Sequence, residues 1–503
     1  PPRLKTLSPI DQSFLYHSEV VVQIALLVAC EEDDEMALLA VEILRIVADS
    51  PFFDVQQRFP DQSRAKLNRL VGLLQASPET LRIQEAFVQR LEEDLPESEL
   101  DSPEWSAPIG DAEVELVKAE NTGALRRAIK TAILDLFLAC TRQDRSAPNV
   151  AHLLLGFNLR ARPDEMEIED PEAADATRTC LHVVLELLAQ NVSSDESEVQ
   201  VRGSPPFLAG ASADLFPLPL QQTSILAQHP ALAAQCYQLV RQLCLQPFTS
   251  AVMSRYLRNR EQFFLRQTLA LPFSVPSATE GALGHIQYAD GKEVITACSA
   301  VCSVLRSEAW LLESSALELS VLASGNDNRR AGELIAAYFE SPSAIDDDVP
   351  AFLDQDGGLE QGLPRILEIF HSFDFAWSDS IAPVQQPLNL FADLRFDSCL
   401  QTDAVGCETY DFTAILSLLG AARRELQNRG LLNTPQQQDV AKLETRAIVE
   451  TLVVENHRRE IQFARYQALK SWRNLLDIIL VKAFHLLSAE VRHSLLLDLL
   501  SAI

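Results

Sequence analysis

Glycine is scarce in this chain, with 17 in 503 residues, about half the usual share of roughly 7%. Aromatic residues make up only 7%, and methionine and tryptophan number 3 and 4. A glycine-poor, aromatic-poor and leucine-rich chain is a poor candidate for a sheet protein. Long apolar runs are missing as well. The most apolar stretch, from Val20 to Ala29, is too short for a bilayer and carries Gln23. No signal peptide is recognisable. The nine cysteines (30, 140, 180, 236, 244, 298, 302, 399, 407) are scattered and odd in number. That excludes a disulfide framework and fits buried thiols in a reducing compartment, cytoplasm or nucleus. Positive charge is in deficit: 42 Lys and Arg against 71 Asp and Glu give −29. Wholesale binding to nucleic acid or anionic membranes needs the opposite balance.

What is present is apolar residue in helical periods. Hydrophobic residues reach 47%, so general disorder is excluded. The length exceeds the roughly 250 to 300 residues at which single cores stop growing, so several modules or an extended array are expected. In 121–140, Leu125, Ile129, Ile133, Leu136 and Cys140 recur at steps of three or four. Ser77 reads as an N-cap with Pro78 at the first helical position, followed by a buried line of Ile83, Phe87 and Leu91. Ile415, Leu418, Leu419, Ala422 and Leu426 form another stripe, which Gly430 ends. Thr434 and Pro435 open the return helix, with Val440, Leu443, Ala447 and Ile448 predicted to face back. So short a link makes the two antiparallel neighbours.

This return helix is expected to be very long, from Pro435 toward Tyr466, with Asn456-His457-Arg458-Arg459 as a break. A second long helix is expected at about 293–322. Helix pairs recur at roughly 35 to 50 residues without a strict repeat. The fold class is therefore all-α, an irregular α-solenoid of HEAT/armadillo-like antiparallel helix pairs. The expected organisation is helical repeats in 1–91 and an acidic loop in 92–110. Further repeats follow in 111–272, with loops near 157–171 and 192–229. A long-helix region spans 273–375, an irregular connection 376–411, and a hairpin and long-helix region 412–503. The start at Pro1-Pro2-Arg3 and the apolar run at 495–500 read as a piece cut from a longer protein.

Acidity is unevenly placed. Ten carboxylates and no basic residue lie between Arg90 and Lys118, and similar acidic loops fall at 164–172, 195–198 and 346–348. These are solvated loops or docking surfaces for a basic partner. The last 73 residues hold nine basic and eight acidic groups, +1, so the first 430 carry −30.

Catalytic patterns are missing. Gly291-Lys292 lacks the rest of a P-loop, and no G-x-S-x-G, H-E-x-x-H or C-x-x-C occurs. Cys298 and Cys302 lack the companions that zinc requires, so core packing is expected. His182 and His485 sit in leucine-rich helices and read as core or boundary residues. Arg255, Arg258, Arg260 and Arg266, around Tyr256 and Phe263-Phe264, read as helix–helix ion pairs. No enzyme, cofactor or metal is expected.

One run is distinctive: Asn149-Val150-Ala151-His152-Leu153-Leu154-Leu155-Gly156-Phe157. It resembles a segment of the giant inner-ring adaptor nucleoporins, α-solenoid scaffolds of the nuclear pore complex. Residues 236–244, then Thr249-Ser250, Arg255-Tyr256-Leu257-Arg258 and Phe263-Phe264, are similar to that family's central region. Leu469-Lys470-Ser471-Trp472-Arg473 resembles its tryptophan-containing helix. The resemblance runs in the same order over most of 110–475. It implies a structural protein at the nuclear envelope, within the nuclear pore complex, that supports nucleocytoplasmic transport. Implied partners are other nucleoporins, especially amphipathic segments of flexible linker nucleoporins laid into grooves between helices. No direct nucleic-acid contact and no transmembrane segment are implied.

Arg465, Tyr466, Leu469, Trp472 and Arg473 are the candidate peptide groove, with a buried core as the competing reading. Asn149, His152, Gly156, Phe157, Tyr256, Leu257 and Arg258 are expected to serve packing. The competing function is a HEAT-repeat nuclear transport receptor that binds cargo and a small GTPase, which would show a regular repeat near 40 residues.

Overall fold

Helices dominate the computed structural model of the chain. It describes residues 14, 17–30, 32–50, 53, 68–93, 122–145, 147–159, 161, 165–171, 177–190, 225–270, 285–287, 293–295, 298–339, 365–373, 388–403, 405–487 and 489–502. In order these form α1 (Ser18–Leu27), α2 (Asp34–Asp49), α3 (Arg69–Ala76), α4 (Thr80–Glu92), α5 (Thr122–Thr141), α6 (Val150–Leu154) and α7 (Cys180–Ala189). Next come α8 (Ile225–Gln228), α9 (Pro230–Leu245), α10 (Ser250–Tyr256), a π-turn (Leu257–Glu261) and α11 (Phe263–Ala270). Strands β1 (His285–Gln287) and β2 (Glu293–Ile295) precede α12 (Cys298–Ser324), α13 (Asn328–Phe339) and α14 (Arg365–Ser372). Strands β3 (Leu400–Thr402) and β4 (Glu408–Tyr410) lead into α15 (Phe412–Asn428), α16 (Pro435–Ile478) and α17 (Ala489–Ala502). The fold is all-α, an irregular α-solenoid of packed helix pairs. Among the described residues the strands form two small antiparallel pairs, β1–β2 and β3–β4. No helix among the described residues is long and apolar enough to cross a membrane. Most of the acidic stretch 92–110, and the acidic runs at 195–198 and 346–348, lie outside the described residues.

Two units divide the chain: residues 1–272, 310–365 and 474–503 form one, and 273–309 with 366–473 the other. In the first, α5 packs against α2 and α9, and α7 packs against α4 and α9. Phe87, Phe137, Tyr237 and Tyr338 are fully buried there. A buried guanidinium ties its first helices together. Arg90 on α4 donates to the carbonyls of Val28 (3.1 Å) and Cys30, and also pairs with Asp34 and Glu93. Such burial is tolerated because nearly every donor of the fork finds an acceptor. The periodic residues Ile83, Phe87 and Leu91 are buried as expected. Ser77 is not the cap of α4, however. It ends α3, and its hydroxyl accepts from the Glu79 amide at 3.2 Å. The bridge between the two helices is Thr80, whose hydroxyl donates to the Leu74 carbonyl at 2.6 Å.

In the second unit the α15–α16 turn closes as the sequence predicts. Gly430 has φ +74°, its amide bonds Gln427 O at 3.0 Å, and the Leu431 amide bonds Leu426 O at 2.9 Å. These two bonds make a Schellman motif. Thr434 and Gln437 then form a reciprocal capping box, at 3.2 Å in each direction. The core around them comprises Phe391, Ile415, Leu419, Ala441, Ile448 and Leu452.

Three expectations fail here for physical reasons. The long helix expected from 293 starts at Cys298, because Val294 and Ile295 are β-branched and pair with β1 instead. The run 456–459 does not break α16. Asn456 is buried and spans the Tyr410 backbone, accepting from its amide (2.7 Å) and donating to its carbonyl (3.0 Å). Arg458 and Arg459 both pair with Glu455 one turn earlier, which supports the helix. Finally, Val440 and Leu443 do not face back: they are 41% and 67% exposed. The inward face instead passes through Ala441, Glu444, Ile448 and Leu452.

Candidate partner-binding elements

Two remote sequence blocks, 149–157 and 255–258, meet around a pair of histidine-closed helix starts in the first unit. The Asn149 side chain accepts from the Ala151 amide at 3.2 Å and donates to the Cys140 carbonyl at 2.6 Å. Its own amide donates to His152 Nδ1 at 3.2 Å, while His152 Nε2 donates to Gln246 Oε1 at 2.6 Å. Histidine here takes the reach-back place that Glu or Gln fills in a capping box. Burial pushes its pKa down to about 4, so the ring is neutral at physiological pH. Phe157 and Phe248 flank the ring, at centroid distances of 5.9 and 5.1 Å.

The same arrangement recurs at α7. The Thr179 amide donates to His182 Nδ1 at 3.1 Å, and His182 Nε2 lies 3.0 Å from the Glu169 carbonyl. A carbonyl can only accept, so the proton resides on Nε2. The end of α6 touches the start of α7 through Gly156, whose φ of +86° and closeness to Thr179 leave no room for a side chain. His182 then meets Tyr256, with ring centroids 6.1 Å apart. Leu257 is fully buried. Arg258 forms a bidentate pair with buried Glu318 on α12, at 2.5 and 3.1 Å. The residues expected to serve packing therefore form one connected junction. Of the arginines read as ion pairs, Arg258 makes one, while Arg255 donates to the Met166 carbonyl at 3.0 Å.

The five candidate groove residues share α16 but not one environment. Trp472 is buried, its Nε1 donates to the Ile366 carbonyl at 2.7 Å, and Phe370 lies 4.8 Å from its ring centroid. It belongs to the core of the second unit. Tyr466 is 62% exposed and Arg473 is exposed, whereas Arg465 and Leu469 are half-buried. Only the outward members remain accessible to a partner.

Periodicity could not disclose Glu444. It is buried and accepts from the amides of Asn389 (3.0 Å), Leu390 (2.9 Å) and Phe391 (3.1 Å), clamping the 388–391 segment onto α16. Burial also pushes thiols up, Cys236 and Cys244 to about 12 and Cys407 to about 11, which removes thiolate character. No group of three or more potential metal-ligating side chains occurs among the described residues.

Residues 2–503 match the family of nuclear pore complex scaffold nucleoporins 186/192/205. The chain belongs to this family. Human nuclear pore complex protein Nup205 is 26% identical over 394 residues, covering 75% of this chain and 17% of that protein. Nucleoporin NUP192 of Chaetomium thermophilum is 23% identical over 358 residues, 70% of this chain and 18% of that protein. The chain thus spans less than a fifth of the relatives it matches. Membership in this scaffold family places it at the nuclear pore complex in the nuclear envelope.

Proposed function

We propose that the chain is a structural, non-catalytic part of an inner-ring scaffold that holds other nucleoporins together, supporting nucleocytoplasmic transport. It does so by binding short amphipathic segments of flexible linker nucleoporins between its helices. The family match along essentially the whole chain carries this reading. Its physical support is a division among the side chains: His152, Arg90 and Glu444 are buried and hydrogen-bonded inside the fold, while side chains such as Tyr466 remain exposed on helix surfaces. A peptide helix can lay its apolar face on such a surface. Tyr466 and Arg473 are the outward residues proposed to touch a linker segment, with Arg465 and Leu469 beside them and Trp472 holding the helix in place.

The test is a binding measurement with purified chain and labelled linker-nucleoporin segments. Saturable binding that weakens in Tyr466→Ala, with the melting curve unchanged, is expected. GTP-dependent capture of a small GTPase, with no linker binding, would overturn the scaffold reading in favour of a transport receptor.

A further inference from the structure

Helix α2 has two apolar faces. One is its core face, where Ala37, Ala40, Val41, Leu44 and Val47 are buried. On the other, Met36, Leu39, Ile43 and Ile46 are 42%, 55%, 38% and 60% exposed. Steps of three, four and three make these the a, d, a and d positions of a heptad seam. The seam is roughly 15 Å long at 1.5 Å per residue. Scattered single exposed leucines are ordinary, but four in register along three turns are not.

The borders of the seam say what would cover it. Glu35, Glu42 and Asp49 occupy the three g positions in a row beside it, and all are exposed. Asp49 is paired with Arg142 and Arg145, which leaves Glu35 and Glu42 as its acidic flank. At the e positions on the other side, Ala40 and Val47 are buried in the fold.

We infer that the outer face of α2 is a docking seam for a separate amphipathic helix whose apolar a/d stripe is bordered by lysine or arginine. Knobs from such a helix pack between Met36, Leu39, Ile43 and Ile46, and its basic flank meets Glu35 and Glu42. A second copy of the same face would bring carboxylate against carboxylate, so charge selects a basic partner over self-association. This deepens the linker-binding reading by naming the partner's chemistry.

The probe is a designed three-heptad peptide with leucine at a and d and lysine at e and g, which is too self-repelling to pair with itself. Its counterpart carries glutamate at e and g. Fluorescence anisotropy with the full chain is expected to show binding of the lysine peptide and roughly tenfold weaker binding of the glutamate peptide. Leu39→Glu/Ile43→Glu is expected to abolish binding. Glu35→Lys/Glu42→Lys, which touches no apolar contact, is expected to reverse the preference and decides the matter even if the first variant folds poorly. The seam is overturned if neither peptide binds, if preference does not reverse, or if sedimentation shows a dimer of the chain that Leu39→Glu/Ile43→Glu dissolves. Linker segments that bind while neither peptide does would sink the seam alone and leave the scaffold reading standing.

Discussion

Gly156 and Thr179 compete for the same space: a Cβ on Gly156 would lie 2.3 Å from Thr179 Cγ2 and 2.8 Å from its Cβ. Neither atom is the far end of a flexible chain, so the contact joins the end of α6 to the start of α7 without slack. Gly156→Ala also places a side chain at φ +86°, where L-residues are strained by roughly 1–2 kcal/mol. Overpacking adds about 1–3 kcal/mol. Urea unfolding should therefore show a loss of about 2–5 kcal/mol. Thr179→Ser in the same chain should recover part of it by removing Cγ2. An unchanged midpoint in Gly156→Ala would contradict the contact.

His152 makes stability depend on pH with a definite sign. Its pKa falls from about 6.5 unfolded to about 4 folded, so the unfolded chain binds the extra proton between those values. Stability from this group is complete above pH 6.5 and declines as pH drops toward 4, by up to about 3 kcal/mol. His152→Gln retains a polar side chain but no titration. The pH 7 to pH 4 loss in stability should be smaller in that variant than in the parent chain, and equal losses would refute the assignment.

Glu308 on α12 acts in the opposite direction. It is fully buried, neither carboxylate oxygen has a hydrogen-bond partner, and burial pushes its pKa up to about 8. The folded chain then keeps a proton that the unfolded chain releases above about 4.5, so stability falls as pH rises from 4.5 to 8 and levels off beyond. Glu308→Gln should be close to neutral at pH 5 and stabilising by a few kcal/mol at pH 8. Denaturant titrations at the two pH values test this, and a variant destabilised equally at both would count against it.

Much of this fold is written in local sequence. Helical period located α5 and the α15–α16 hairpin, and Gly430, Thr434 and Pro435 marked the turn because their chemistry acts within a few residues. What stayed hidden depends on distant partners. Glu444 sets which face of α16 turns inward by accepting three amides from 389–391, and nothing in the period of Val440, Leu443 and Ala447 records that. The seam on α2 was hidden for another reason: apolar residues occupy most of 36–48, so period alone cannot separate the buried face from the exposed one. The block 149–157 stood out as a motif, yet its junction with 255–258 runs through Thr179 and His182, which only the fold brings together.

Glu444 also gives a local prediction. Glu444→Ala would leave the amides of Asn389, Leu390 and Phe391 without their acceptor, and a charged hydrogen bond contributes about 1.5–3 kcal/mol. Hydrogen–deuterium exchange should speed up at 389–391 before any change in α5 or α9. Uniform protection across both segments would show that the clamp carries no stability.

Trp472 and Tyr466 separate support from recognition on one helix. The Trp472 ring is buried against Phe370 and bonded to the Ile366 carbonyl, so Trp472→Ala should cost about 3–5 kcal/mol and lower the melting temperature. Tyr466 is 62% exposed, so Tyr466→Ala should shift stability by no more than about 0.5 kcal/mol. If this stretch of α16 meets a linker segment, affinity must fall in Tyr466→Ala at unchanged stability. In Trp472→Ala affinity should fall only as far as the folded population does. Measuring the melting curve and the linker affinity of both variants under the same conditions separates the two roles. Full affinity in Tyr466→Ala would move recognition off this helix face and onto another exposed apolar surface of the chain.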